Sequence, residues 1–166
     1  MKNYPYERSF YYRSKQEERD SMERSIWLIK EIRQFESTDE LIFDYLKVIS
    51  KKEEHISLLQ RMIESERIHY NILKDINYQL IGKVPDVDAP TFEVPDSFEE
   101  GLSEILLRKS NTIHLYVQLL NNLSPAFTSS IFPIIVEEQT HMQLLNYMHS
   151  DTCCSKQHIH NHSKDI

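Results

Sequence analysis

The sequence predicts an all-α protein, a bundle of four helices with one long crossover between the second and third, and three observations carry that prediction. Only two glycines occur in 166 residues, whereas sandwiches, barrels and phosphate-cradling loops need several positions of positive φ or close backbone approach. Apolar residues recur at helical spacing through four stretches, the mark of amphipathic helices. A proline-containing stretch without that period, residues 83–95, divides the four into two pairs. Hydrophobic residues at 40% and charged residues at 27% suit a folded single domain that needs no disulfide staples.

Three regions are expected: a tyrosine-rich N-terminal segment over 1–19, the bundle over 20–150 and a flexible tail over 151–166. The segment from Tyr4 to Tyr12 shows no clear period and is placed along the outside. From about Asp20, Ile26, Ile29, Ile32, Leu41, Ile42, Tyr45 and Ile49 mark a first helix, with Ser50-Lys51-Lys52 as the turn. The second runs through Ile56, Leu59, Ile63, His69, Leu73, Ile76 and Leu80, and Gly82 and Pro85 stop it. At ~3.3 Å per residue the 83–95 segment reaches roughly 40 Å, the length of a helix of ~28 residues, so it can return the chain along the whole bundle. Asp96 or Ser97 caps a third helix through Leu102, Ile105, Leu106, Ile113, Val117 and Leu120, ending near Ser124-Pro125. The fourth begins between Thr128 and Ile131, tolerates Pro133 near its start and continues to about His149. Short turn, long crossover, short turn is the connectivity of the ferritin-like four-helix bundle.

Nineteen basic against twenty-six acidic residues give a formal net charge of -7, which disfavours nucleic acid and anionic membrane surfaces as partners. No stretch approaches ~20 consecutive apolar residues and the opening residues lack the apolar core of a secretory signal, so a cytoplasmic chain is expected. The only cysteines, Cys153 and Cys154, are neighbours, which fits a reducing compartment and rules out a rubredoxin-type module with its separated Cys-x-x-Cys pairs.

The chemistry resides in two Glu-x-x-His units, Glu66 with His69 and Glu138 with His141. Seventeen glutamates and eight histidines in 166 residues supply about one such pair by chance, so counting alone is weak. Placement adds weight: spacing i, i+3 puts carboxylate and imidazole on one helix face, and both units fall mid-helix on the inward stripe. Two facing units can hold two metal ions when each of the other helices adds a carboxylate. Glu36, 30 residues before Glu66, returns to the same bundle height across one hairpin. The same step back from Glu138 lands at Arg108 or Lys109, where a carboxylate is needed.

FESTDELIFDYL, ESERIHYNILKDINYQLIGK, SFEEGLSEILLRKSNTIHLY and IFPIIVEEQTHMQLLNYM together resemble the four helices of the rubrerythrin-like, ferritin-superfamily proteins of low-GC Gram-positive bacteria, over roughly residues 20–150. The resemblance implies a di-iron-carboxylate bundle with metal ligands Glu36, Glu66, His69, Glu138 and His141. Where the family has a third-helix glutamate this chain has Lys109, and His114 stands where relatives often show an acid. Two divalent ions bring four positive charges, which four carboxylates neutralise and three carboxylates with an ammonium do not. Lys109 is therefore expected to insert its ammonium among Glu36, Glu66 and Glu138, leaving two ions, one ion or none as open outcomes.

Two functions follow as expectations. One is a metal-binding oxidoreductase that uses iron or manganese on peroxide or oxygen with an external electron donor; the other is a non-catalytic structural or interaction module with a degenerate site. The resemblance also makes a homodimer paired through helix faces an expectation. Tyr45, Tyr70 and Tyr116 match tyrosines that relatives place near the metals, a role the residues leave open. His55 and His114 read as packing or surface histidines. Cys153, Cys154, His158, His160 and His162 read as a tail with adventitious affinity for soft or borderline metals.

Overall fold

A computed structural model describes residues 5–162, and side chains over 15–152. Four α-helices form: α1 Pro5–Ile49, α2 Glu53–Ile81, α3 Phe98–Asn122 and α4 Thr128–His162, with a 3-10 turn at Pro125–Phe127 before α4. No strand occurs among the described residues, and no described helix is long and apolar enough to cross a membrane. Gly82 ends α2 in the left-handed conformation at φ 68°, donating its amide to the Tyr78 carbonyl. Ser97 caps α3 by accepting from the Glu100 amide at 3.1 Å, and the Glu100 carboxylate accepts from the Asp96 amide at 2.7 Å.

Two helices run further than the sequence reading has them. α1 starts at Pro5 rather than near Asp20, because Pro5 suits a first turn and no glycine or proline interrupts the chain from there to Ile49. α4 passes His149 and stays helical to His162, so the backbone expected as a flexible tail is helical from Asp151 to that point. Asp151 anchors this extension by pairing with Lys52 and with His55 Nε2 at 2.9 Å, while Thr152 donates to the Met148 carbonyl. The Tyr4–Tyr12 side chains and the Cys153, Cys154, His158, His160 and His162 side chains lie outside the described ones.

Named contacts fix the directions. Along α1, Ser21, Arg24, Asp39 and Leu46 meet Asn122, Gln118, Arg108 and Gly101 of α3, so those helices are antiparallel. Glu40 and Lys47 meet Arg67 and Gln60 of α2, which makes that pair antiparallel too. α2 and α3 therefore run the same way, and the segment between them must carry the chain back along the bundle. It is tied down on the way by the Asp88 amide, which donates to Gln34 Oε1 at 3.0 Å.

Each helix buries a stripe at alternating spacings of three and four. The stripes are Ser25, Ile29, Ile32, Glu36, Asp39, Phe43, Leu46; Leu59, Met62, Glu66, His69, Leu73, Ile76; Leu102, Ile105, Lys109, Thr112, Tyr116, Leu119; and Ile131, Ile134, Glu138, His141, Leu145, Met148. Such a repeat, averaging 3.5 residues, keeps one face of each helix turned to its neighbours. At the middle of every stripe two polar residues replace apolar ones. This polar layer splits the core into one apolar cluster around Ile32, Leu73, Tyr116 and Ile134 and another around Phe43, Met62, Ile105 and Leu145.

Candidate metal centre

The polar layer is built from Glu36 and Asp39 on α1, Glu66 and His69 on α2, Lys109 and Thr112 on α3, and Glu138 and His141 on α4, all buried. Each pair is spaced i, i+3, so both members face inward one turn apart. All five residues expected as ligands are thereby brought to one level. One donor atom from each of Glu36, Glu66, His69 and Glu138 falls within 4.8 Å of all the others, a group that could hold a metal ion. Donors at about 2.1 Å from an ion sit about 3–4.2 Å apart, so small rotamer shifts would close this group around one cation. His141 lies just outside it, its Nδ1 3.4 Å from Glu66 Oε1 and 3.9 Å from Glu138 Oε1.

Lys109 occupies the fourth corner, fully buried. Its Nζ donates to Glu66 Oε1 at 2.5 Å and lies 2.9 Å from Glu138 Oε2. Its third carboxylate is Asp39, at 3.6 Å, rather than Glu36. The reason is height along α1: Asp39 stands level with Lys109, while Glu36 accepts from the Tyr116 hydroxyl at 2.5 Å one turn away. Arg108, the neighbouring candidate, reaches the same Asp39 from the side at 2.5 Å and donates to the Phe35 carbonyl. His69 is oriented from outside, its Nε2 3.0 Å from Glu137 Oε2, which leaves Nδ1 facing Glu138 Oε1 at 3.1 Å.

Four carboxylates, Glu36, Asp39, Glu66 and Glu138, meet three cations, Lys109, Arg108 and Arg33, whose guanidinium lies 3.3 Å over the Tyr70 ring beside Glu36. The surplus negative charge shows in the titration. Burial, reinforced by Glu66 and Glu138, pushes Glu36 up to about 8, and burial with Glu138 does the same to Glu66. Burial works against the His69 imidazolium, but its bond to Glu138 and the charges of Glu66 and Glu36 outweigh that and carry it to about 9. Burial, joined by Lys109 and His69, lowers His141 to about 4. Burial also opposes ionisation of Glu138, yet Lys109 and the two histidines hold it well below the usual carboxylate range.

The donor set fits a divalent cation. Glu138 Oε2 lies 2.9 Å from the Lys109 ammonium and Oε1 3.1 Å from His69 Nδ1, whereas Glu36 Oε2 and Glu66 Oε2 are buried without a hydrogen bond among the described residues. Buried acceptors left in that state are costly unless a cation or proton joins them. Asp39 and Glu137 were not legible as parts of the site; the one signal for Asp39 is its place three residues after Glu36, the spacing of the Glu-x-x-His units. Tyr116 joins the centre through Glu36, whereas Tyr45 packs on Phe92 and Tyr70 under Arg33. His114 is exposed and His55 is stacked on Phe98 at 5.6 Å, so neither enters the centre. Comparison of the chain with family models, curated proteins and solved structures finds no match.

Proposed function

We propose that the protein is a ferritin-like metal-binding protein whose centre holds one divalent ion, iron or manganese, on Glu36, Glu66, His69 and Glu138, and that the Lys109 ammonium takes the place of a second. The observation that carries this reading is the convergence of four buried donor groups within 4.8 Å, two of which, Glu36 and Glu66, keep an oxygen without a hydrogen bond among the described residues. The return of the chain along the bundle between α2 and α3, and the resemblance of the four helices quoted above, support the ferritin-like assignment. Oxygen and imidazole donors suit iron and manganese alike.

When bound, such an ion supplies electron exchange with peroxide or oxygen, and electrons then come from an external donor. The chain's own residues set the conditions. Tyr116 holds the Glu36 carboxylate in place, Glu137 fixes the His69 tautomer, and the two apolar clusters keep water from the layer on both sides. Full burial of Lys109 and its contacts with Glu66 and Glu138 favour a second reading, a non-catalytic module in which the ammonium alone balances the cage. Elemental analysis of protein purified without a metal column separates them: close to one iron or manganese per chain beyond that of Glu66→Ala supports the metal centre, and equal contents in parent and variant refute it.

A further inference from the structure

The structure offers two cavities beside the centre, and they differ in chemistry. One, of about 760 Å³ between α2 and α4, mixes Ile68, Phe132, Val136 and Leu144 with Arg61, Glu64 and Glu137, and the ligand candidate it reaches is His141, which lies outside the four-donor group. The other, of about 410 Å³ between α1 and α2, has Glu36 and Glu66 among its lining residues. Both are buried, and the Oε2 atom of each lacks a hydrogen bond among the described residues.

Along α1 the same cavity is lined by Glu36, Glu40 and Asp44. Successive members are four residues apart, so the carboxylates stack on one helix face about 6 Å from one to the next. Exposure rises along this ladder from 2% at Glu36 through 31% at Glu40 to 54% at Asp44, so it leads from the centre to solvent. Like charges at that spacing destabilise a helix, so cations are needed along it. Arg67 on α2 supplies one at the middle rung, donating to Glu40 Oε1 from Nε at 2.8 Å and Nη2 at 2.5 Å, and Lys47 lies 3.2 Å from Asp44 Oδ1. Arg67 is itself 59% exposed, so its guanidinium can swing away without unpacking the core.

We propose that Asp44, Glu40 and Glu36 form the path by which a divalent cation reaches the centre, with Arg67 as the counter-ion that neutralises the middle rung until the arriving ion displaces it. The inference rests on the metal-binding reading above. An ion shedding its water gains a carboxylate at each step, and a cleft whose four carboxylates, Glu36, Glu40, Asp44 and Glu66, outnumber its two guanidiniums, Arg33 and Arg67, raises the local concentration of cations. Arg67 gives the path a resting state in which Glu40 is not left uncompensated.

The test is stopped-flow uptake of cobalt(II) by the full-length, metal-stripped protein, followed by its visible absorbance, with Glu66→Ala as the blank for ions bound elsewhere. Glu40→Gln combined with Asp44→Asn is expected to slow association about tenfold at low ionic strength while leaving equilibrium affinity within about twofold, and Arg67→Ala to accelerate it. Association in the parent is also expected to slow as salt rises, since the outer rungs are exposed. An unchanged association rate in the double variant, or a weaker affinity at unchanged association rate, would overturn the path. Failure of the parent to take up cobalt beyond the blank would remove the metal centre itself, an outcome distinct from loss of the path alone.

Discussion

At the scale of single residues, the centre gathers more negative charge than its resident cations balance, and it relieves the surplus by binding protons or an ion. The sign of the pH dependence follows. Glu36 and Glu66 titrate near 8 in the fold against 4.5 for a free glutamate, so the stability they contribute is full below 4.5 and is lost as pH rises towards 8. His69, raised from 6.5 to about 9, contributes stability that is lost as pH rises from 6.5 to 9. His141 acts oppositely, but its window lies between 4 and 6.5. Between pH 6.5 and 9 the metal-stripped protein should therefore melt at progressively lower temperature, whereas saturating manganese should stabilise most at the alkaline end, where protons compete least. Thermal melts in chelator and in manganese across that interval check this, and a metal-stripped protein that gains stability towards pH 9 would contradict it.

At the scale of helices, the existence of all four and the ends that flank the turns and the crossover were legible from periodicity, Gly82, Ser97 and the prolines, and the inward stripe of α3 was not. Its apolar residues Ile113, Val117 and Leu120 suggest one face, yet Thr112, Tyr116 and Leu119 are buried and Val117 is 39% exposed. Polar residues at the inward positions of Lys109 and Thr112 break the hydrophobic signal where function interrupts the core. The far ends of α1 and α4 were missed for a different reason: they are helical through local propensity and anchors such as Asp151, without an apolar stripe to announce them. Gly101 shows what the tight α1–α3 contact requires. A methyl there would lie 2.6 Å from Leu46 Cδ2 and 3.0 Å from Pro95 Cγ. Overpacking of about 1–3 kcal/mol against a helix-propensity gain of about 1 kcal/mol predicts that Gly101→Ala destabilises by about 1 kcal/mol. Calorimetry should show the melting temperature down by about 2–4 °C, and a rise would mean that Leu46 repacks freely.

At the scale of the molecule, four helices each place two polar residues at one height, and the apolar stripes above and below hold that layer together. The two Glu-x-x-His units could be found in the sequence because their spacing is local, Glu36 because one short hairpin returns the chain to the height of Glu66, and the crossover because its prolines and length announce it. What no local pattern disclosed is the pairing of Lys109 with Asp39, which exists only once α1 and α3 are packed antiparallel. On the proposed metal-binding reading, Lys109 sets how many ions the layer holds. The most direct measurement is the number of metal ions per chain, by elemental analysis after reconstitution with manganese, in the parent and in Lys109→Glu, each corrected by its Glu66→Ala counterpart. One ion in the parent and two in Lys109→Glu are expected, because the substitution exchanges an ammonium for the missing carboxylate. Equal numbers in the two proteins would contradict the account, since the ammonium would then not be standing in for an ion.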